Sequence, residues 1–234
     1  MTYVLVHGGG FSGTCWAEVR PLLDGPTHAV DLPGRGSSPG DLASLTFADF
    51  ATSVAGELLE NDLSDVTLVG HSMAGLTLPG VAEMAPTRLR RLVFVSCAVP
   101  AQGTTLLEVL GDFSPAVKEA ADLVGDHAID GGGLPPDLAR AMFCNDMDED
   151  QVASTLRRLC PESLGVLSEP SDLTGLRQPI PRTYIRLLRD ASISLEIQNQ
   201  MIRNLGQAEV IDLDAGHMAM ISRPTDLANI INAL

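Results

Sequence analysis

The sequence is short of positive charge, of aromatic residues and of long apolar runs. Its 234 residues hold 15 Lys and Arg against 30 Asp and Glu, a formal net charge of −15. Such an acidic surface repels phosphate backbones, which argues against nucleic acid as a partner. Apolar runs fall short of the roughly 18 residues that cross a bilayer, and the N-terminus lacks signal-peptide features. We therefore expect a cytoplasmic protein that binds no membrane.

C-x-x-C pairs and the P-loop lysine are missing as well. Cys15, Cys97, Cys144 and Cys160 form no C-x-x-C pair, and no His/Cys cluster has metal-ligand spacing. A chain of this length can be stable on its core alone, so reduced and mostly buried thiols are expected, with no metal. The sequence lacks the lysine of a G-x-x-x-x-G-K-[ST] P-loop, and no cofactor is predicted.

Short β-branched runs alternate with helical patterns along most of the chain. This alternation is typical of an α/β fold with a mostly parallel sheet and helices on both faces. Helices are predicted after Thr46, which makes an N-capping pattern with Asp49, and after Pro224. The six predicted strands are Tyr3–Val6, Thr27–Asp31, Val66–Val69, Leu92–Val95, Thr183–Leu187 and Ala208–Leu213.

Residues 101–180 break this rhythm. The interval has no clear strand, and it carries 14 acidic against 5 basic residues. One crossover connection needs far fewer than 80 residues. We interpret residues 101–180 as a small inserted helical cap, and residues 1–100 and 181–234 as the core domain. A set of ordinary crossover helices is the alternative interpretation.

The strongest catalytic motif is Gly70-His71-Ser72-Met73-Ala74-Gly75, between a predicted strand and a helical stretch. This context is that of a nucleophile elbow, in which a tight turn projects the serine hydroxyl from the sheet. Ala74 replaces the usual glycine of G-x-S-x-G but is small enough for the turn. A helix-capping serine is the plainer interpretation, and the strand and helix around Ser72 favour a nucleophile.

A glycine-rich segment, His7-Gly8-Gly9-Gly10, follows the first strand. Acyl transfer needs hydrogen-bond donors for a developing oxyanion, and glycines let backbone N–H groups approach it. The predicted oxyanion donors are the N–H groups of Gly9 and Met73. His7 is expected to brace the loop.

A general base and a carboxylate complete the predicted triad. His217 follows the last strand in Gly216-His217-Met218, and Asp190 follows the fifth strand. The chain order serine, acid, histidine matches one of the known triad orders. Asp212 and Asp214 are rivals for the acid by proximity, but they lie within or near the end of a strand.

With these motifs in this order, the chain resembles the plant methylesterase and hydroxynitrile lyase branch of the α/β-hydrolases, together with bacterial relatives. The resemblance implies the α/β-hydrolase fold with a small cap, the triad Ser72, Asp190 and His217, and the donors Gly9 and Met73. The matching segments are Val4-Leu5-Val6-His7-Gly8, Asp31-Leu32-Pro33-Gly34-Arg35-Gly36, Gly70-His71-Ser72-Met73, Arg189-Asp190-Ala191-Ser192-Ile193 and Gly216-His217-Met218-Ala219-Met220.

The resemblance also frames the alternatives. A carboxylesterase acting on a small neutral ester, such as a methyl ester, an aryl ester or a lactone, is the first hypothesis. The lyases of this branch carry a threonine and a lysine where this chain has Gly8 and Met218, which favours hydrolysis over cyanohydrin cleavage. A cofactor-free oxygenase and a ligand-binding protein on the same fold stay open. Relatives are often dimers, so a homodimer is the protein partner that the resemblance suggests.

Overall fold

The computed structural model describes residues 1–113, 134–162 and 165–234. Within these residues six parallel strands form one sheet, in the order β2-β1-β3-β4-β5-β6. Each strand overlaps one of the predicted segments, so the predicted six-stranded sheet is confirmed. The strands are β1 Thr2–Val6, β2 Thr27–Val30, β3 Val66–His71, β4 Leu89–Val95, β5 Arg182–Leu187 and β6 Glu209–Leu213.

Helices connect these strands, and two of them begin where the sequence predicts. Thr46 caps α1, since its side chain accepts from Asp49 N while Asp49 accepts from Thr46 N at 2.9 Å. The last helix begins at Pro224. The α-helices of the described residues are α1 Phe47–Glu60, α2 Leu78–Met84, α3 Leu106–Phe113, α4 Pro136–Phe143, α5 Glu149–Arg157, α6 Leu195–Leu205, α7 Ala219–Ser222 and α8 Pro224–Asn232.

Apolar side chains on both faces of the sheet form the core. Because strand residues alternate in direction, Val4 and Val6 of β1 join one apolar cluster and Tyr3 and Leu5 join the other. Residues of α1, α2 and α6 complete the first cluster, and residues of α5, α7 and α8 complete the second. The sheet is therefore covered on both faces, as the near-continuous apolar strands predict.

The interval 101–180 contains α3, α4 and α5, and residues 114–133 and 163–164 lie outside the described residues. In the described part of the interval, extended pairing is limited to one isolated antiparallel bridge between Thr105 and Pro170. Leu106 of α3 packs in the first core cluster, and Ala139 of α4 packs in the second. The division into a core domain and an inserted cap stays a prediction.

All four cysteines are free, and Cys15, Cys97 and Cys144 are buried while Cys160 is partly so. The expectation of mostly buried thiols is confirmed, and their reduced state stays a prediction. Burial raises the pKa of the Cys15 and Cys97 thiols, which keeps both protonated. Among the described residues, no helix combines the length and the apolar character needed to cross a membrane.

Candidate active site

Ser72 lies on a sharp turn between β3 and the helical segment that leads into α2. Its backbone φ of +53° is a left-handed conformation that few non-glycine residues adopt. A strained turn of this kind exposes a nucleophile at the edge of the sheet. Small neighbours make the turn possible, because a Cβ at Gly70 would lie 2.7 Å from a side chain of α2, and one at Gly75 would overlap the carbonyl oxygen of Ala98. Ala74 fits the turn fully buried.

The loops after β5 and β6 bring Asp190 and His217 to Ser72. His217 Nε2 lies 3.1 Å from Ser72 Oγ, and His217 Nδ1 lies 2.7 Å from Asp190 Oδ2. The His217 and Asp190 side chains are 3% and 0% exposed. Because the Nδ1–H group donates to Asp190, the neutral imidazole presents an unprotonated Nε2 to the serine hydroxyl, as a general base must.

Four hydrogen bonds hold the Asp190 carboxylate. Oδ2 accepts from Ser96 Oγ at 2.6 Å in addition to His217, and Oδ1 accepts from the N–H groups of Ser192 and Ile193 at 2.7 and 2.8 Å. Burial alone would raise the pKa of Asp190, but the charge of His217 and these hydrogen bonds hold that pKa below its ordinary value. Asp190 is therefore ionised at neutral pH, the state that stabilises an imidazolium.

The two rival carboxylates are on the surface and face other partners. Asp212 forms two bonds of 2.8 Å with the Arg186 guanidinium, and Asp214 lies 2.7 Å from Arg189 Nε. Their side chains are 44% and 73% exposed. Of the three candidates, Asp190 is the carboxylate that the structure places against the His217 ring.

The glycine-rich loop after β1 lies directly against the nucleophile. A Cβ at Gly8 would lie 2.8 Å from Ser72 Cβ, and a Cβ at Gly9 would lie 3.4 Å from Met73 Sδ. Any side chain at Gly8 would therefore displace the serine. The two residues expected to supply oxyanion donors, Gly9 and Met73, are neighbours beside Ser72.

His7 links this loop to the segment that follows β2. Its Nδ1 lies 2.8 Å from the Gly8 carbonyl oxygen, and its Nε2 accepts the Leu32 N–H group at 3.1 Å. This pair of bonds requires the neutral ring with the proton on Nδ1. Burial lowers the pKa of His7 to about 4, which keeps that form at neutral pH.

Sequence reasoning missed two residues that hold the triad. Ser96 donates to Asp190, and its position at the end of β4, beside β5, is the signal that could have found it. His71, the residue before Ser72, donates from Nε2 to the His217 carbonyl oxygen at 2.9 Å. Burial holds the pKa of His71 well below its ordinary value, so its ring is neutral and acts as a brace.

A buried ion pair beside the glycine-rich loop was also missed. Glu162 Oε2 accepts the Gly10 N–H group at 2.9 Å and would lie 3.2 Å from a Cβ at Gly9. Its carboxylate pairs with Arg35, whose side chain is fully buried and stacks 4.8 Å from the Phe50 ring centre. Burial lowers the pKa of Arg35 to about 10, which still leaves it charged at neutral pH. The interval 101–180 therefore reaches the loop through Glu162.

The assembled groups can perform acyl transfer. A hydroxyl, a base that contacts it, a carboxylate that orients the base and a glycine-rich loop beside the hydroxyl are the parts that nucleophilic catalysis at a carbonyl requires. Among the described residues, no three His, Cys, Asp or Glu side chains are grouped so as to hold a metal ion.

Comparison with known proteins gives consistent matches over nearly the whole chain. The family described as "Alpha/beta hydrolase family" matches residues 3–230. Methylesterase 9 of Arabidopsis thaliana is 31% identical, over 97% of this chain and 95% of its own length. A pyrethroid hydrolase of Sphingobium wenxiniae is 28% identical, over 97% and 85%. An extracellular alpha/beta-hydrolase from a Paenibacillus species, 24% identical, superposes with a TM-score of 0.87 over 99% of this chain and 97% of its own, a likeness of fold.

Proposed function

The chain belongs to the alpha/beta hydrolase family, and on that premise we propose that it is a serine carboxylesterase that hydrolyses a small neutral ester through an acyl-enzyme. The predicted fold and the predicted resemblance to the methylesterase branch are both confirmed. The observation that carries the proposal is the continuous relay from Ser72 Oγ through His217 to Asp190.

In the first half of the proposed reaction, Ser72 Oγ attacks the ester carbonyl carbon while His217 Nε2 takes the serine proton. The N–H groups of Gly9 and Met73 stabilise the oxyanion that forms. The bond to the alcohol oxygen then breaks, and His217 gives its proton to the departing alkoxide. A water molecule, deprotonated by His217, attacks the acyl-serine, and collapse of the second oxyanion releases the acid and returns the proton to Ser72.

The proposed substrate class rests on charge and on the relatives. The interval 101–180 is strongly acidic, so a carboxylate on the substrate would meet like charge as it approaches. The relatives are named as a methylesterase and a pyrethroid hydrolase. Neutral methyl esters, aryl esters and lactones are therefore the substrates that we propose.

Cyanohydrin cleavage is the less favoured reaction for a structural reason. Met218 is fully buried in the second core cluster, where a lysine ammonium would be costly to place. A threonine at Gly8 would collide with Ser72 Cβ. The two substitutions typical of the lyases therefore do not fit this site.

The test is a substrate panel assayed with the whole protein and with Ser72→Ala. We expect turnover of p-nitrophenyl and methyl esters, little cyanide release from mandelonitrile, and a loss on the order of 10⁴ to 10⁶ in kcat for the variant. A fluorophosphonate should label Ser72 alone, and the exposed-serine control Ser44→Ala should keep full activity.

The outcomes separate the alternatives. Cyanide release that exceeds ester turnover and disappears in Ser72→Ala would replace the esterase by a lyase. Oxygen consumption that survives Ser72→Ala would indicate an oxygenase that uses the His217–Asp190 pair. Ligand binding without turnover of any panel member would indicate a binding protein.

A further inference from the structure

The acid and base of the proposed triad come from two separate loops that must stay in register. Asp190 follows β5 and His217 follows β6, and the loops are joined by the Arg189 N–H group, which donates to the Ala215 carbonyl oxygen at 2.9 Å. Proton transfer depends on the position of the imidazole to within a fraction of an ångström. Any further contact that holds both loops in place therefore affects proton transfer between Ser72 and His217.

A third segment of chain, residues 143–146 at the end of α4, crosses both loops. Asn145 Nδ2 donates to the Arg189 carbonyl oxygen at 2.7 Å, next to Asp190. Asp146 Oδ2 accepts the Gly216 N–H group at 2.8 Å, next to His217. Two consecutive side chains thus hold the backbone beside the acid and the backbone beside the base.

Asp146 is an unusual residue to find in this position. Its side chain is 0% exposed, and within the described part of the chain Oδ1 has no hydrogen-bond partner. The cation nearest to it there is Arg189 Nη2 at 3.9 Å, on a side chain that is 41% exposed. A buried carboxylate with so little compensation is costly, and a neutral acceptor could bond Gly216 without that cost.

The contact is also close enough to dictate the residue before the base. A Cβ at Gly216 would lie 2.5 Å from Asp146 Oδ1 and 2.6 Å from Asn145 Oδ1. Only glycine lets these two side chains pack against the backbone that leads into His217.

The same segment fixes the plane of the imidazole. The Phe143 ring stacks on the His217 ring, with centres 5.5 Å apart and an interplanar angle of 22°, and Phe11 packs edge-on against Phe143 at 5.4 Å. An aromatic face also favours the imidazolium that forms when His217 takes the serine proton.

We propose that Asp146, with Asn145, is a positioning residue that holds His217 and Asp190 in register for proton transfer. This inference rests on the proposed function. It also means that the interval 101–180 acts on the acid–base pair through a direct contact.

The test compares Asp146→Ala with Asp148→Ala, two residues along the chain. Asp148 caps α5 by accepting from Gln151 N at 2.9 Å, so its loss destabilises the same region without touching either loop. Active sites are counted by fluorophosphonate titration, so that kcat refers to folded sites only. We expect Asp146→Ala to lower kcat per titrated site at least tenfold with KM changed less than threefold, and Asp148→Ala to leave kcat per site unchanged.

Two further variants extend the test, a conservative one at Asp146 and one at Asn145, which holds the other loop. Asp146→Asn keeps an acceptor for the Gly216 N–H group, so it should recover most of kcat. If Asp146→Ala does not fold, Asn145→Ala removes the bond to the Arg189 carbonyl and should lower kcat per site severalfold. Unchanged kcat per site in the folded variants, or Asn as damaging as Ala at position 146, would overturn the proposal.

A spectroscopic measurement separates this proposal from the proposed function. The Nδ1 proton of His217, bonded to Asp190, should give a far-downfield proton NMR signal whatever the substrate is. We expect that signal to shift or broaden in Asp146→Ala and to be unchanged in Asp148→Ala. An unperturbed signal in Asp146→Ala would refute the positioning role, whereas a wild-type protein that shows the signal but hydrolyses no ester would refute only the esterase.

Discussion

The two sides of Ser72 are each held by a carboxylate from the interval 101–180, and the two carboxylates are neutralised to different degrees. On the oxyanion side, Glu162 bonds the Gly10 N–H group and pairs with the fully buried Arg35. On the acid–base side, Asp146 bonds Gly216 and lies 3.9 Å from Arg189, which is well exposed to solvent.

The difference matches the charges that develop on each side during the proposed reaction. An oxyanion forms beside Gly9, where an unpaired carboxylate would repel it, so the pairing of Glu162 with a buried cation protects the transition state. An imidazolium forms at His217, where excess negative charge is favourable. The fold thus uses carboxylates as braces on both sides but cancels the charge only where an anion must form.

The largest expected effect breaks the acid–base side. Asp190→Asn should lower kcat by up to about 10⁴, because asparagine can hold His217 in the wrong tautomer. Asp214→Asn is the matched control, since Asp214 faces Arg189 on the surface, and it should change kcat by less than about threefold. Steady-state kinetics on p-nitrophenyl butyrate measures both. Equal losses, or a larger loss for Asp214→Asn, would show that the acid is misassigned.

The next effect breaks the charge balance on the oxyanion side. Arg35→Met should remove the positive charge that offsets Glu162 beside Gly9 and lower kcat by about 10², of the order seen when one oxyanion donor is lost. It should also destabilise the fold by about 3–5 kcal/mol, because one half of a buried pair is removed. Activity and urea unfolding measure the two losses.

A double variant and a surface control decide whether charge is the cause. Arg35→Met combined with Glu162→Gln should regain most of kcat, because the repelling carboxylate is gone. Arg140→Met removes an exposed ion pair with Glu149 and should change neither property. A double variant that is no more active than Arg35→Met would contradict the electrostatic explanation.

The central sheet and the site residues in the loops at its edge could be predicted from the sequence because their signals are local. A β-branched run such as Val66–Val69 is local, and so is the strand–turn–helix context of Ser72. His217 and Asp190 were found because parallel strands end at one edge, so the loops after β5 and β6 must meet. These inferences need only short-range pattern and the topology rules of parallel sheets.

The braces could not be predicted, because each is a contact between residues far apart in sequence. Glu162 meets Gly10 across 152 positions, and Asp146 meets Gly216 across 70. No periodicity marks these acids among the many of residues 101–180, and their burial is known only once α4 and α5 are placed. The contact between Ser96 and Asp190 is easier to predict, because β4 and β5 are both predicted strands and each residue follows the end of one of them.

Acid should weaken the oxyanion side through His7. Burial lowers its pKa to about 4, whereas an unfolded histidine titrates near 6.5. The stability that the neutral ring contributes is therefore complete above about pH 6.5 and is lost as pH falls through about 4. The shift corresponds to about 3 kcal/mol of unfolding free energy. Urea unfolding across this range should show a flatter pH dependence for His7→Gln than for the wild type.

The other histidines are the same in the wild type and in His7→Gln, so the difference between the two pH curves reports on His7. His71 also has a lowered pKa, but it is present in both proteins and cancels in the difference. A His7→Gln variant that keeps the full pH dependence would show that His7 does not carry the effect.

The smallest expected effect comes from changing the charge of the substrate and leaving the protein unchanged. If the charge on the interval 101–180 is cancelled only locally by Arg35, its excess of acids still acts at longer range on an arriving ester. The p-nitrophenyl monoester of glutaric acid, an anion, should show a kcat/KM about tenfold below that of neutral p-nitrophenyl butyrate at low ionic strength. Because exposed charges are screened over about 10 Å at 0.1 M salt, the gap should narrow as salt is added. A preference for the anionic ester at low salt, or a gap that salt does not change, would mean that the acidic interval does not select the substrate.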